Sequence, residues 1–112
     1  MGSLYRTPRR SPRLPFIAVA EIAYRESGDQ LSCQVSTLSF YGCYVETLNT
    51  LPVGREISIE IFAESECFVA TGKVIYELPS SGMGLAFEEV PLKSASLLRE
   101  WLQKASGGSE RL

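Results

Sequence analysis

The chain has 112 residues, no histidine and a single aspartate, Asp29. At roughly 100–200 residues per domain, this length predicts one domain with one hydrophobic core. The 45% hydrophobic and 21% charged residues are typical of a globular protein. Without an imidazole, no Ser-His-Asp triad, Cys-His pair or histidine metal site can form, so we expect a binding protein with no catalytic and no metal-ligating residues.

Positive charge is concentrated at the start of the chain. Residues 1–14 hold four arginines and no acid, which leaves seven bases against all thirteen acids in the remainder. Such asymmetry predicts a basic arm over residues 1–14 that meets an anionic partner, either a nucleic acid, a nucleotide or an acidic surface. A solvated tail is the alternative interpretation.

Six short segments with a period of two follow the arm, at residues 16–24, 31–35, 43–47, 56–61, 67–77 and 83–87. In residues 56–61 three isoleucines alternate with polar residues, which predicts a half-buried strand. The same alternation over residues 67–77 predicts that Tyr76 shares the face of Phe68 and Val74. Closely spaced strands joined by turns, with no helix between them, favour an all-β antiparallel sandwich or small barrel.

The period becomes helical after Pro91, and residues 92–105 are predicted to form one amphipathic helix. A flexible tail is expected over residues 106–112, so that the barrel and helix together occupy residues 15–105. The apolar face of the helix carries Trp101. It is predicted to cover the mouth of the barrel, or alternatively to form a dimerisation or partner surface built around Trp101.

The cysteines and the hydropathy indicate the compartment. Three cysteines without a CxxC spacing predict neither a disulfide framework nor a zinc site, and they favour a reducing, cytoplasmic environment. Because no apolar run reaches about 18 residues and no signal peptide precedes the strands, we expect neither export nor membrane insertion.

The arm carries the residue type best suited to bind an anion. Arg9, Arg10 and Arg13 lie among prolines that disfavour a helix. A guanidinium group binds phosphate bidentately, donates to the O6 and N7 edge of guanine, and stacks on a base. These three arginines are therefore candidate ligand-binding residues.

A second group of polar residues interrupts an apolar strand pair at residues 37–42. Thr37, Ser39 and Gly42 would expose hydroxyls and backbone amides at a turn, where glycine allows a ligand to approach closely. An ordinary hairpin turn is the alternative interpretation of this segment.

Taken in order, the two segments resemble the PilZ domain family. That family is recognised by RxxxR near the N-terminus and (D/N)xSxxG some 20 to 30 residues later. Residues 9–13, RRSPR, match the first motif, and residues 37–42, TLSFYG, match the second. The register starting at Arg9 is preferred to the one starting at Arg6, because an apolar segment then leads straight into the first strand. Residues 72–74 and 82–87 are similar to the last two strands of the family, so that the resemblance covers about residues 6–105.

The resemblance implies a six-stranded antiparallel PilZ-type β-barrel with one C-terminal helix. It also implies a bacterial, cytoplasmic, non-catalytic receptor or adaptor that binds cyclic di-GMP and signals to an unidentified effector protein. By the same resemblance, the arm of residues 1–14 would be mobile without ligand and would wrap over the ligand when it binds. DNA or RNA polymers are not expected as partners, because the acidic body would repel them, and the oligomeric state is left open. The residues implied to contact cyclic di-GMP are Arg9, Arg10, Arg13, Thr37, Ser39 and Gly42.

One position departs from the family pattern. Thr37 stands where the family has Asp or Asn, and its hydroxyl offers one acceptor where a carboxylate accepts from both N1–H and N2–H of guanine. The loss of a charge-assisted hydrogen bond costs about 1.5–3 kcal/mol. The alternative function is therefore a PilZ-like protein–protein interaction module that has lost nucleotide binding. A nucleic-acid-binding barrel is a further alternative, and an enzyme is the least favoured.

Overall fold

The computed structural model describes residues 12–107. They form six strands followed by one helix, as the periodicity of the sequence predicted. The elements are β1 (Leu14–Tyr24), β2 (Gln30–Leu38), β3 (Gly42–Glu46), β4 (Glu56–Ala63), β5 (Glu66–Leu78), β6 (Gly82–Glu89) and α1 (Leu92–Ser106).

The six strands close into a barrel in the order β1-β2-β3-β6-β5-β4, and every neighbouring pair is antiparallel. Within residues 12–107, closure pairs both edges of the sheet, so no row of backbone donors and acceptors is left open there. In this order β3 and β6 lie on one side of the barrel, and β1 and β4 lie on the opposite side. The chain reverses between β1 and β2 at Gly28, whose φ of 80° lies in the left-handed region that favours glycine.

Alternation along the strands builds the core. The three isoleucines of β4, Ile57, Ile59 and Ile61, are at most 1% exposed, as their spacing predicted. The core residues come from every strand and from α1, so that the barrel is filled by side chains. The buried hydrophobic residues of the strands also include Ala18, Ala20, Ile22, Val35, Leu38, Cys43, Val45, Phe68, Ala70, Val74, Met83 and Leu85.

Helix α1 covers one mouth of the barrel. Trp101 is 2% exposed, and its ring lies 5.1 Å from that of Phe16 and 6.4 Å from that of Phe68, centroid to centroid. The hypothesis of a partner surface built around Trp101 is therefore wrong, because its ring is buried within the chain. The helix ends at Gly107, whose φ of 73° and bond to the Lys104 carbonyl form a left-handed C-cap.

A bulge in β5 overturns one prediction about the faces of this strand. Val74 pairs with Leu85 and Tyr76 pairs with Gly84, so Ile75 is the extra residue. Since Leu85 is buried in the core, its neighbour Gly84 faces outward, and the bulge turns Tyr76 outward with it. The prediction that Tyr76 shares the core face is wrong, because strict alternation cannot register an inserted residue.

Candidate functional site

The outer surface of strands β2, β3, β6 and β5 brings together polar and aromatic residues that are far apart in sequence. Thr37 pairs with Tyr44, Tyr44 pairs with Gly84, and Gly84 pairs with Tyr76. These four residues therefore form one row across four strands. Tyr44 and Tyr76 are half-buried, and their rings are nearly parallel, with centroids 6.2 Å apart and planes at 22°.

The two tyrosines lie over two glycines of β6. A Cβ atom built on Gly84 would collide with the ring of Tyr76, and one built on Gly82 would collide with the ring of Tyr44. The missing side chains of β6 thus make room for the rings, which cover the exposed backbone in return. The Tyr44 hydroxyl also hydrogen-bonds with the Ser81 hydroxyl at 3.2 Å. We call Tyr44 and Tyr76 the tyrosine pair.

Arg13 reaches this surface from the residue before β1. Its Nη1 donates to the Tyr76 hydroxyl oxygen at 3.4 Å, in an exposed contact across 63 residues of sequence. Strand β1 also brings the start of the barrel beside the second motif, because Pro15 pairs with Thr37. A guanidinium group, a flat aromatic surface and a hydroxyl-bearing strand therefore meet on one face. The other two predicted arginines, Arg9 and Arg10, lie outside the described residues.

In the turn between β2 and β3, the Ser39 side chain hydrogen-bonds to other residues of the same turn. The Tyr41 N–H donates to Ser39 Oγ at 3.1 Å, and Ser39 Oγ donates to the Gly42 carbonyl at 3.3 Å. Ser39 is 7% exposed, and its N–H also donates to the Gly42 carbonyl, at 2.8 Å. In this structure Ser39 therefore holds the shape of the turn.

Gly42 and Thr37 lie in the strands that flank this turn. A Cβ atom on Gly42 would collide with the Leu85 carbonyl oxygen, so the glycine is required for close approach of β3 to β6. Thr37 is half-buried on β2, next to an irregularity in register between Val35 and Thr37. Of the six predicted contact residues, the structure brings Arg13 and Thr37 to the tyrosine pair, places Ser39 in the supporting turn, and places Gly42 at the start of β3.

Sequence reasoning did not bring the tyrosine pair to this face. Tyr76 was expected in the core, and Tyr44 was not among the candidate site residues. The glycines at 82 and 84 were the available signal, because glycines alternating along a strand leave space on one face for rings from neighbouring strands.

The fold and this face define a class of protein: a small closed β-barrel, covered by one helix, that presents an arginine and aromatic rings on its outer surface. The chain belongs to the PilZ domain family, because the model of the PilZ domain matches residues 7–104. No curated protein matches the sequence.

Several solved structures share the fold at low sequence identity. The PilZ domain of CeSA from a cellulose-synthesizing bacterium is 16% identical, with a TM-score of 0.63 over 89% of this chain and 100% of that one. The PilZ domain of YcgR from Escherichia coli, solved with c-di-GMP, is 15% identical, with a TM-score of 0.67 over 93% of this chain and 98% of that one. The Bacillus subtilis inhibitor of motility is 14% identical, with a TM-score of 0.73; the match covers 92% of this chain but 53% of that one, about half its length.

Within residues 12–107, no helix is long and apolar enough to cross a membrane.

Proposed function

We propose that this chain is a non-catalytic receptor or adaptor for cyclic di-GMP, acting in the bacterial cytoplasm on an effector protein. The observation that carries the proposal is the meeting of Arg13 with the tyrosine pair beside Thr37. Cyclic di-GMP has two phosphates and two guanines. A guanidinium group pairs with phosphate, while an aromatic ring offers a stacking surface to a base.

Each group of residues is proposed to make the kind of ligand contact that its chemistry allows. Arg9, Arg10 and Arg13 bind phosphate and the O6 and N7 edge of guanine. A guanine base stacks on the tyrosine pair, and the Thr37 hydroxyl contacts the edge of a base. Ser39 and Gly42 keep the turn in shape, which positions the backbone beside the base.

Calorimetric titration with cyclic di-GMP tests this proposal. We expect micromolar or tighter binding by the wild type and its loss in Arg9→Ala and Arg13→Ala. Arg55→Ala is the matched control, because Arg55 also lies against a tyrosine, 5.3 Å from the ring of Tyr24, but away from the motifs. No heat from the wild type at hundred-micromolar ligand would refute the proposal.

A second candidate function is a protein–protein interaction module without nucleotide binding. It is favoured by Thr37, which lacks the carboxylate, and by Ser39, whose hydroxyl is already engaged in the turn. The Thr37→Asp variant distinguishes the two functions. Stronger binding in this variant would show that the site is intact and that the threonine limits it. If neither Thr37→Asp nor the wild type binds cyclic di-GMP, the interaction module is the better account.

A further inference from the structure

An exposed apolar row lies on the side of the barrel opposite the tyrosine pair. Val19 of β1 pairs with Phe62 of β4, and Ile17 precedes Val19 by two residues on the same outer face. Their exposed fractions are 69% for Ile17, 55% for Val19 and 41% for Phe62. Single exposed apolar residues are ordinary, whereas here three exposed apolar residues are neighbours on one outer face of the sheet.

Two glutamates face each other directly beside this row. Glu21 of β1 pairs with Glu60 of β4, two residues along each strand from Val19 and Phe62. Like charges at directly opposed positions destabilise a sheet. Glu21 accepts a hydrogen bond of 2.6 Å from the Ser32 hydroxyl, which orients its carboxylate without neutralising it. The pair therefore costs stability in the isolated domain.

The acidic pair lines a groove of about 410 Å³ on the outer face of β1, β4 and β5. Glu89 adds a third carboxylate, and among residues 12–107 no lysine or arginine lines the groove. Arg25 and Lys73 pair with other glutamates, at 3.9 and 3.5 Å, and Lys93 is an exposed residue of the adjoining groove, which shares Val69 and Pro91 with this one. Among the described residues, the walls of the groove itself therefore carry three carboxylates and no base.

We propose that this face, formed by Ile17, Val19, Phe62, Glu21 and Glu60, docks a cationic amphipathic helix of a partner protein. The apolar and acidic rows are two residues apart on their strands, which is about 7 Å. An amphipathic helix carries its apolar stripe directly beside its polar face, so a helix with lysine or arginine bordering the stripe presents both kinds of side chain to adjoining apolar and acidic positions. Charge complementarity selects this occupant over nucleic acid or an anionic membrane, which the carboxylates repel.

The docking face and the proposed nucleotide site can be occupied together. The docking face lies on β1 and β4, and Tyr44 lies on β3, on the opposite side of the closed barrel. Tyr76 lies near the end of β5 that is away from Phe62, which pairs with Cys67. Strand β1 belongs to both, since Arg13 precedes it and its outer residues form half of the docking face. The two sites share no residue, so this inference stands or falls independently of cyclic di-GMP binding.

Fluorescence anisotropy with two synthetic 16-residue amphipathic helices tests the proposal. Both labelled peptides carry the same leucine stripe, bordered by lysines in one and by glutamates in the other. We expect the wild-type protein to bind the lysine peptide at least about tenfold more tightly, and Phe62→Ser to weaken that binding about tenfold. The double variant Glu21→Lys with Glu60→Lys is expected to reverse the preference.

The matched control is Glu46→Lys with Glu100→Lys, which changes the net charge equally at exposed positions outside the face. The proposal is overturned if this control reverses the preference as strongly, or if the wild type binds both peptides equally. Sedimentation in the absence of peptide tests the other occupant: a dimer abolished by Phe62→Ser would assign the face to a second copy of this chain and overturn the proposal. Should the double variant fail to fold, Glu60→Gln replaces it, with a raised melting temperature and weaker binding of the lysine peptide as the expected result.

Discussion

Truncation of Tyr76 separates the two contributions that this residue would make to ligand binding. Tyr76→Phe removes only the hydroxyl that accepts from Arg13, and Tyr76→Ala also removes the ring that lies over Gly84. The Arg13 contact is long, at 3.4 Å, and exposed, so its net contribution falls at the lower end of the ordinary range, about 0.5 kcal/mol. Stacking of one base on an aromatic ring contributes about 1–3 kcal/mol.

These magnitudes predict different affinities for the two variants. Since about 1.4 kcal/mol corresponds to a tenfold change, Tyr76→Phe should weaken cyclic di-GMP binding about twofold. On the same scale, Tyr76→Ala should weaken it roughly 5- to 150-fold. Both values are read from calorimetric titrations, after circular dichroism shows that each variant is folded at the temperature of the experiment.

Tyr24→Ala is the matched control, because Tyr24 also contacts an arginine, Arg55, at 5.3 Å from the centroid of its ring. Its removal should leave the affinity for cyclic di-GMP unchanged. Equal losses in Tyr76→Phe and Tyr76→Ala would show that the hydroxyl, and not the ring, supports the ligand. An unchanged affinity in Tyr76→Ala would show that the tyrosine pair serves only to cover the glycines of β6.

Three further predictions concern the barrel itself. Gly42→Ala should lower the free energy of unfolding by about 1–3 kcal/mol in urea titration, because the new Cβ meets the Leu85 carbonyl; a neutral result would show that β3 and β6 can separate at no cost. Trp101→Ala should cost about 3–5 kcal/mol in the same measurement, and a loss below about 1 kcal/mol would contradict the role of α1 as a cover. Burial raises the pKa of Cys33 from 9.0 to about 11. Because this pKa is higher in the folded than in the unfolded state, the neutral thiol contributes its full stability below pH 9, and this contribution is lost as pH rises towards 11. Cys33→Ser should therefore lose less free energy of unfolding than the wild type between pH 9 and 11. An identical pH dependence of the two proteins would refute this prediction.

The strands and the helix could be predicted from local patterns because those patterns have local causes, whereas the choice of a barrel over a sandwich came from the resemblance to the PilZ family. The alternation of isoleucine and polar residues in β4 requires one face in the core and one outside, and the helical spacing around Trp101 requires one packed face. Burial of Trp101 settled the choice between a cover and a partner surface. The sequence could not make this choice, because the rings that bury Trp101 belong to Phe16 and Phe68, which come from distant parts of the chain.

The candidate site was only partly accessible to sequence reasoning. The two motifs pointed to Arg13 and Thr37, since the hydrogen-bonding capacity of guanidinium and hydroxyl groups is known from the residue type alone. Ser39 could not be distinguished from a ligand contact, because its engagement within the turn depends on distances that a motif does not contain. Tyr76 was misplaced because one inserted residue in β5 reverses the faces of the strand.

By itself, the sequence determined that six strands are followed by one helix, that histidine is absent, and that four arginines are clustered ahead of the first strand. Only the tertiary structure decided which residues share a face. It brought Arg13 to Tyr76 across 63 positions. It also set Glu21 against Glu60, and Val19 against Phe62, on the opposite side. The physical reason is that strand register and bulges are set by closure of the whole barrel, in which each strand must satisfy two neighbours at once.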